Sequence, residues 1–160
     1  MATERADENR EIERKYLLRD LPAGVASAPS LEIDQGYLPG KRINERIRRA
    51  RGADGVKYYR TIKSGSGLDR MEIEEETDQT FFDAVWPLTA GARVRKRRYL
   101  VPEREVVWEI DEFLDRSGLW LAEVELEHVD HMVPIPGWLA DSVVREVTFE
   151  KGYTNRALAR

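Results

Sequence analysis

The sequence predicts a single, mainly β domain in which short strands form a sandwich or a barrel. Three observations support this prediction. Short runs with alternating or β-branched apolar residues recur along nearly the whole chain, and turn residues such as Gly, Pro, Asn and Asp separate them. Hydrophobic residues make up 41% of the 160 residues, which is enough for a sizeable core. The chain shows no internal repeat and no low-complexity tract that would indicate a second unit.

The first half of the chain is predicted to contain only strands and turns. Residues 1–9 are polar and are expected to form a disordered tail, so that the single domain spans residues 10–160. Pro22, Gly24 and Pro29 make the segment after the first strand a connection. We place strands at residues 10–18, 31–38, 43–50, 56–63 and 69–77, and turns at residues 52–55 and 64–67.

The second half is predicted to add short helices. Asp78 can cap a helix over residues 78–86, and Pro87 ends its apolar pattern. Another short helix is expected over residues 136–144, and a further helical turn near the C-terminus. Strands are expected at residues 91–101, 105–113, 119–127 and 145–150.

Charged side chains alternate along these strands and therefore share one face, because side chains two residues apart point the same way from a strand. The pattern begins with Glu11, Glu13 and Lys15. It continues in Arg46 and Arg48, Lys63, Arg70, Glu72 and Glu74, Lys96 and Arg98, Glu109 and Asp111, and Glu123 and Glu125. We expect the opposite face to be apolar and to hold Ile12, Leu17, Ile33, Ile43, Ile47, Ile62, Ile73, Ile110, Val124 and Leu126.

Two interpretations fit this charged face. In an open sheet it would be the solvated side, whereas in a closed barrel it would line the lumen. Acids cluster as E-x-E and bases as R-x-R and K-x-R, and such clusters need neutralisation because like charges repel. A polyphosphate with a bound divalent cation would neutralise both. The residues alone support the two interpretations about equally.

Composition narrows the classes of function. The formal net charge of -4 argues against generic nucleic-acid binding. The chain contains no cysteine, which excludes disulfides, thiolate zinc sites and a cysteine nucleophile. It has no signal-like or membrane-length apolar segment, so we expect a cytoplasmic protein with no membrane partner.

The ordered set of motifs resembles the CYTH family, also called the triphosphate tunnel metalloenzymes. The resemblance runs from Glu11 to about Ala159. Its motifs are the E-x-E-x-K of Glu11, Glu13 and Lys15, then Gln35–Leu38, Arg46–Arg48, Thr61–Lys63, Glu72–Glu74, Lys96–Tyr99, Glu109–Asp111, Glu123–Glu125, and Lys151 with Tyr153–Leu158. The resemblance implies a closed antiparallel eight-stranded β-barrel with a few short flanking helices, whose lumen binds a triphosphate and a divalent metal.

The resemblance also implies a role for individual residues. The implied metal ligands, for Mg²⁺ or Mn²⁺, are Glu11, Glu13, Glu123 and Glu125. The implied triphosphate-binding residues are Lys15, Arg46, Arg48, Lys63, Lys96, Arg98 and Lys151. The candidate catalytic residues are Glu74, Asp111, Lys63 and Tyr37. Either of the two acids could position the attacking water, and Tyr37 is equally compatible with a core aromatic and with a lumen phenol. Asn44 departs from the family, in which many relatives have an acid two residues before the first arginine of the R-x-R pair.

We therefore expect a metal-dependent triphosphatase acting on inorganic tripolyphosphate or another triphosphate. The near-minimal chain length favours the smallest substrate. The alternatives are a thiamine triphosphatase, an adenylate cyclase and a non-catalytic polyphosphate- or nucleotide-binding module, although the full set of acids argues against simple anion binding. The sequence leaves open the preferred metal and the oligomeric state, with which a homodimer is compatible.

Overall fold

The computed structural model describes residues 10–64 and 69–160. Within them, antiparallel pairing joins nine strands into one sheet: β1 (Arg10–Leu18), β2 (Ser30–Tyr37), β3 (Asn44–Gly52), β4 (Gly55–Ser64), β5 (Asp69–Thr77), β6 (Arg93–Glu103), β7 (Val106–Phe113), β8 (Trp120–Glu125) and β9 (Val143–Glu146). The order is β5-β4-β3-β2-β6-β7-β8-β1, and β1 pairs again with β5. The predicted closed eight-stranded barrel is thus confirmed, with β9 added outside the ring.

Strand β1 closes the barrel because its two edges pair with three neighbouring strands. Residues 13–18 pair with β8 along one edge. On the other edge, residues 10–12 pair with β5 and residues 16–18 pair with β9. The E-x-E-x-K segment therefore lies where the ends of the sheet meet.

Short helices flank the barrel, as predicted. In the described residues these are α1 (Gln79–Val85), α2 (Gly137–Ala140) and α3 (Asn155–Leu158), with 3₁₀ turns at Val25–Ser27, Trp86–Thr89 and Lys151–Tyr153. Asp78 caps α1 by accepting a hydrogen bond from the backbone N–H of Phe81. No helix in this part of the chain is long and apolar enough to cross a membrane.

Some predicted boundaries are wrong. The helix expected over residues 136–144 ends at Ala140, and residues 143–146 form β9 instead of the strand expected at 145–150. The position of β9 is set by its pairing with Tyr16, Leu17 and Leu18 of β1. Local sequence propensity does not reveal such a long-range pairing. Strand β8 is also shorter than residues 119–127. The predicted tail at residues 1–9 and residues 65–67 of the predicted turn lie outside the described residues.

The prediction of one continuous apolar face needs correction. Leu17 and Ile33 lie on the charged lumen side. Leu17 is two residues from Lys15 on β1 and so shares its face. Ile33 pairs with Ala50 of β3, which is two residues from Arg48 and lies on the same face as that arginine. Ile43 and Ile73 are 56% and 51% exposed. The outer surface is covered by other elements only over part of the barrel, so apolar residues elsewhere on it remain in contact with solvent.

Two apolar clusters pack on either side of the barrel wall. The larger lies outside the barrel wall and includes Tyr16, Trp108, Ile110, Val124 and Leu139 of α2. The smaller contains Val94, Phe113 and Leu121, which share the lumen face of their strands, together with Val147 and Leu158 of the C-terminal segment. The C-terminal segment thus packs against one end of the lumen, and the charged residues occupy the remainder.

Helix α1 packs against β3, and the following 3₁₀ turn packs against β2. A Cβ atom on Gly36 would lie 2.4 Å from Oγ1 of Thr89, so this approach requires glycine. Gly36 lies between Gln35 and Tyr37, both of which point into the barrel. The contact therefore fixes the backbone that carries two lumen side chains.

Candidate active site in the lumen of the barrel

The lumen contains a cavity of about 670 Å³ whose lining is mostly charged. Its cations are Arg46, Arg48, Lys63 and Arg98. Its acids include Glu11, Glu13, Glu72, Glu74, Glu109, Glu123 and Glu125. These side chains come from seven strands and converge because the barrel places one face of every strand inside. Of the two interpretations of the charged face, the structure supports the lumen.

Asp111 is the centre of a fully buried ion-pair group. Its Oδ1 accepts from Arg98 Nε at 2.7 Å, and its Oδ2 accepts from Arg98 Nη2 at 2.8 Å and from Lys96 Nζ at 2.7 Å. Burial acts to raise the pKa of Asp111, but the charges of Arg98 and Lys96 outweigh it and lower this pKa. For Lys96, burial and the neighbouring Arg98 lower the pKa to about 8. The described cavities are not lined by Lys96 or Asp111, which lie behind the surface that a ligand would touch.

Glu123 connects this group to β1. Its carboxylate lies 3.1 Å from Lys15 Nζ and accepts a 3.3 Å hydrogen bond from Arg98 Nη2. Lys15 Nζ also donates to the backbone carbonyl of Tyr153 at 3.2 Å. Burial acts to lower the pKa of Lys15, but the charges of Glu123 and Glu13 raise it. Lys15 therefore remains a cation in the wall between β1 and the C-terminal segment.

A second ion-pair group lies at the seam between β1 and β5. Lys63 Nζ is 2.8 Å from Glu11 and 3.5 Å from Glu72, and Arg70 Nη2 is 2.7 Å from Glu13. Burial and a hydrogen bond to Glu11 raise the pKa of Glu72 to about 7. Burial acts to raise the pKa of Glu11, but the hydrogen bond from Glu72 and the charge of Lys63 lower it to about 2. The two carboxyls thus share a proton near neutral pH.

Arg46, Thr61 and Glu74 form a third group on neighbouring strands. Glu74 accepts from Thr61 Oγ1 at 2.9 Å and from Arg46 Nη2 at 3.3 Å. Its side chain is 37% exposed, so one side faces the open cavity. Glu74 therefore combines a fixed orientation with access to solvent.

Arg48 is held by neutral side chains. Its Nε donates to Gln35 Oε1 at 3.3 Å, and Gln35 Nε2 donates to Tyr37 Oη at 3.4 Å. Burial and the charges of Arg46 and Arg98 lower the pKa of Arg48 to about 10. Its guanidinium faces the main cavity.

A second cavity of about 480 Å³ continues from the first past Glu13, Lys63 and Asn155. Lys151 is exposed and lines this second cavity, not the first. Asn155 accepts from Lys96 Nζ at 3.1 Å. The C-terminal turn and α3 thus form one wall of the tunnel.

Comparison with known proteins identifies the family. No protein-family model matches the chain. The inorganic triphosphatase of Nitrosomonas europaea is 40% identical over 157 residues, which cover 93% of this chain and 96% of the relative. The chain belongs to the inorganic triphosphatase family. The resemblance to the CYTH, or triphosphate tunnel, family is thereby confirmed.

Two further comparisons agree with this assignment. An inorganic triphosphatase of Acetivibrio thermocellus is 29% identical over 157 residues and is covered to 94%. The solved structure of the inorganic triphosphatase NE1496 superposes with a TM-score of 0.64 at 36% identity, over 93% of each chain.

The acids implied as metal ligands by membership of the triphosphate tunnel family lie on adjacent strands. Glu13 faces Glu125 directly across the β1–β8 pair, and Glu123 faces Glu109 across the next pair. Burial and the like charges of Glu123 and Glu11 raise the pKa of Glu13, and burial and the charges of Glu11 and Glu109 raise that of Glu125. Facing carboxylates repel unless a cation lies between them.

Oxygen donors in this arrangement fit a hard divalent cation. In the described part of the chain, no cation lies within salt-bridge distance of Glu125. No three acids there already converge as a ligand set, because Glu11 and Glu13 are turned toward Lys63 and Arg70. A metal would therefore replace these ion pairs.

Several lumen residues received no role from the sequence. The sequence places Arg70, Glu72 and Glu109 on the charged face without indicating a role, and Gln35 and Thr61 occur only as members of family motifs. The two-residue period of a strand predicts that Gln35 and Thr61 face the lumen, because Gln35 precedes Tyr37 and Thr61 precedes Lys63 by two positions. No such signal exists for Asn155, which lies outside the strands.

Proposed function

We propose that this chain is a metal-dependent triphosphatase that hydrolyses inorganic tripolyphosphate. The observation that carries the proposal is the main lumen cavity, in which four cations face a larger group of acids. A linear triphosphate needs several cationic contacts, and phosphoryl transfer depends on positioning and charge neutralisation more than on covalent catalysis. The 40% identical relative named inorganic triphosphatase supports the same substrate.

Arginine and lysine side chains hold the substrate in this proposal. Arg46, Arg48 and Arg98 offer guanidinium forks to phosphate oxygens, and Lys63 offers a point charge. Lys96 acts from behind the cavity surface through Asp111, whereas Lys15 pairs with Glu123 and lines the second cavity. Lys151 would contact a ligand only at the end of the tunnel that the second cavity forms.

The family to which the chain belongs depends on a divalent metal, and we assign Mg²⁺ or Mn²⁺ to Glu11, Glu13, Glu123 and Glu125. Both ions prefer carboxylate oxygen. When bound, such an ion withdraws charge from the phosphate oxygens.

Glu74 is the better candidate for the acid that positions water. It faces the cavity, and Thr61 and Arg46 fix its orientation. Asp111 is fully buried, and Arg98 and Lys96 bind both of its oxygens. A water oriented by Glu74 would attack the terminal phosphorus, the bridging P–O bond would break, and orthophosphate and pyrophosphate would leave. Tyr37 accepts a hydrogen bond from the Gln35 amide and lines the second cavity.

The test is a direct assay of the purified protein with tripolyphosphate, ATP and thiamine triphosphate, in which orthophosphate, pyrophosphate and cyclic AMP are measured. We expect the highest kcat/KM for tripolyphosphate. Glu74→Gln should abolish most of this activity, whereas Glu75→Gln, on the outer face of the same strand, is the matched control. Formation of cyclic AMP or no turnover of any triphosphate would contradict the proposal. A cytoplasmic location and a homodimer stay predictions.

A further inference from the structure

Arg48 differs from the other lumen cations in its surroundings. Each of the others has a carboxylate oxygen within 4 Å: Lys15, Arg46, Lys63, Arg70, Lys96 and Arg98. Among the residues that the structure describes, Arg48 has no such partner, and its side-chain hydrogen bond goes to the amide of Gln35. Arg48 is therefore the lumen cation that has no direct carboxylate partner among the described residues, and Glu74 and Glu109 attract it only from a longer distance.

Gln35 is built into the wall of the barrel. It is 0% exposed and faces Arg48 across the β2–β3 pair. Its amide is held at both ends, because the oxygen accepts from Arg48 and the nitrogen donates to Tyr37 Oη. The guanidinium of Arg156 lies 5.1 Å from the centre of the Tyr37 ring and donates to the backbone carbonyl of Leu38, which keeps that ring in place.

We propose that Gln35 is a positioning residue that fixes Arg48 toward the cavity while leaving its positive charge free for an anionic substrate. The proposal rests on the proposed triphosphatase function and names a determinant of its affinity for polyanions. A carboxylate at the same place would orient the guanidinium equally well but would neutralise it. A neutral amide supplies the hydrogen bond without the charge.

The physical basis is the balance of charge around Arg48. Burial removes water that would otherwise solvate it, and Arg46 and Arg98 repel it. These effects outweigh the attraction of Glu74 and Glu109. This repulsion is relieved when a polyanion enters. Binding energy is then larger at Arg48 than at a cation whose acid partner must first be displaced.

Two substitutions separate this role from a structural one. Gln35→Glu keeps the shape and places a carboxylate oxygen next to Arg48, with Tyr37 able to donate its hydroxyl proton to the other oxygen. Gln35→Met keeps the approximate volume but removes both hydrogen bonds. Gln79→Glu makes the same change in charge at an exposed residue of α1 and is the control.

We expect opposite effects of Gln35→Glu on stability and on binding. Without ligand, its melting temperature should equal or exceed that of the parent, because the new ion pair relieves repulsion. Calorimetric titration with tripolyphosphate in EDTA should give a Kd about 10-fold or more above the parent value. In the hydrolysis assay with metal, KM should rise more than kcat falls. A merely structural role would lower stability and affinity together, and would overturn the proposal.

Gln35→Met tests the same idea if Gln35→Glu does not fold. It should raise the Kd for tripolyphosphate in the parent, but should add nothing when combined with Arg48→Gln, because Gln35 acts through Arg48. An equal loss in both backgrounds would overturn the assignment. If the parent neither binds nor hydrolyses tripolyphosphate, the proposed function fails. The melting temperatures of Gln35→Glu and the parent without ligand then still test whether Gln35 leaves the charge of Arg48 without a direct acid partner.

Discussion

Arg98 and Asp111 form a two-point ion pair inside the barrel, with Nε to Oδ1 at 2.7 Å and Nη2 to Oδ2 at 2.8 Å. The same guanidinium lies 2.6 Å from Glu109 through Nη1. Arg98 therefore neutralises acids from β7 while it lines the cavity. In contrast, Arg48 on β3, which only β2 separates from the strand of Arg98, lines the cavity without a carboxylate in salt-bridge distance among the described residues.

This difference predicts that the two arginines affect stability differently. Arg98→Ala leaves the buried Asp111 with only Lys96 and should lower the free energy of unfolding by about 3–5 kcal/mol. Arg48→Ala removes a cation that its neighbours repel, so the free energy of unfolding should change little. Urea unfolding without ligand would measure both values. Equal losses for the two variants would contradict the assigned roles.

Hydrolysis of tripolyphosphate should be strictly metal-dependent. Glu13 and Glu125 face each other across the β1–β8 pair, and Mg²⁺ or Mn²⁺ bound to them would replace the ion pair of Glu13 with Arg70. EDTA should therefore abolish phosphate release, and either ion should restore it. Undiminished turnover in EDTA would refute the metal assignment.

Loss of one proposed metal ligand should be costly for the rate. Glu13→Gln or Glu125→Gln should reduce kcat/KM by at least about 100-fold, which is the usual scale for removing a charged group from a catalytic centre. The fold should survive, because the substitution keeps the shape of a lumen side chain and reduces repulsion. Glu75→Gln is exposed on the outside of β5 and should retain full activity. Normal rates for both lumen variants would show that these acids do not bind the metal.

Ligands should stabilise the barrel in a defined order. A ligand at 100 times its Kd adds about 2.7 kcal/mol to the free energy of unfolding, which corresponds to roughly 5–10 °C in a domain of this size. Tripolyphosphate with Mg²⁺ should give the largest rise in melting temperature and tripolyphosphate alone a smaller one. Mg²⁺ alone should do less, because Lys63 and Arg70 already pair with Glu11 and Glu13. A melting temperature unchanged in all three conditions would argue against ligand binding in the lumen.

The carboxyl pair Glu11 and Glu72 predicts a pH-dependent stability. The pKa of Glu72 rises from 4.5 to about 7 on folding through burial and its hydrogen bond to Glu11, so the folded state binds more protons between these values. Stability from this group is thus lost as the pH rises through that window. Glu72→Gln mimics the protonated form, and in metal-free buffer its melting temperature relative to the parent should increase from pH 5 to pH 8. A difference that does not vary with pH would contradict the shared proton.

The sequence by itself determined the eight strands of the barrel and the side of the sheet on which most charges lie. Alternation with a period of two places Glu11, Glu13 and Lys15 on one face of the strand, both in an open sheet and in a closed barrel. The order of the motifs indicated the family, and the family implied that the sheet closes into a barrel. These features are local or are carried by residue identity, so no knowledge of tertiary contacts is required.

Only the tertiary structure decided which charges neutralise one another. Lys63 and Glu11 are 52 positions apart, and Lys96 and Asn155 are 59 apart, and these contacts follow from barrel closure and from the packing of α3. The same closure separates lumen residues that look alike in sequence. Lys96 is sealed behind Asp111 and Arg48 faces the cavity beside a neutral amide. Burial and the distance between charges set their pKa and their availability to a ligand, and neither quantity exists until the chain has folded.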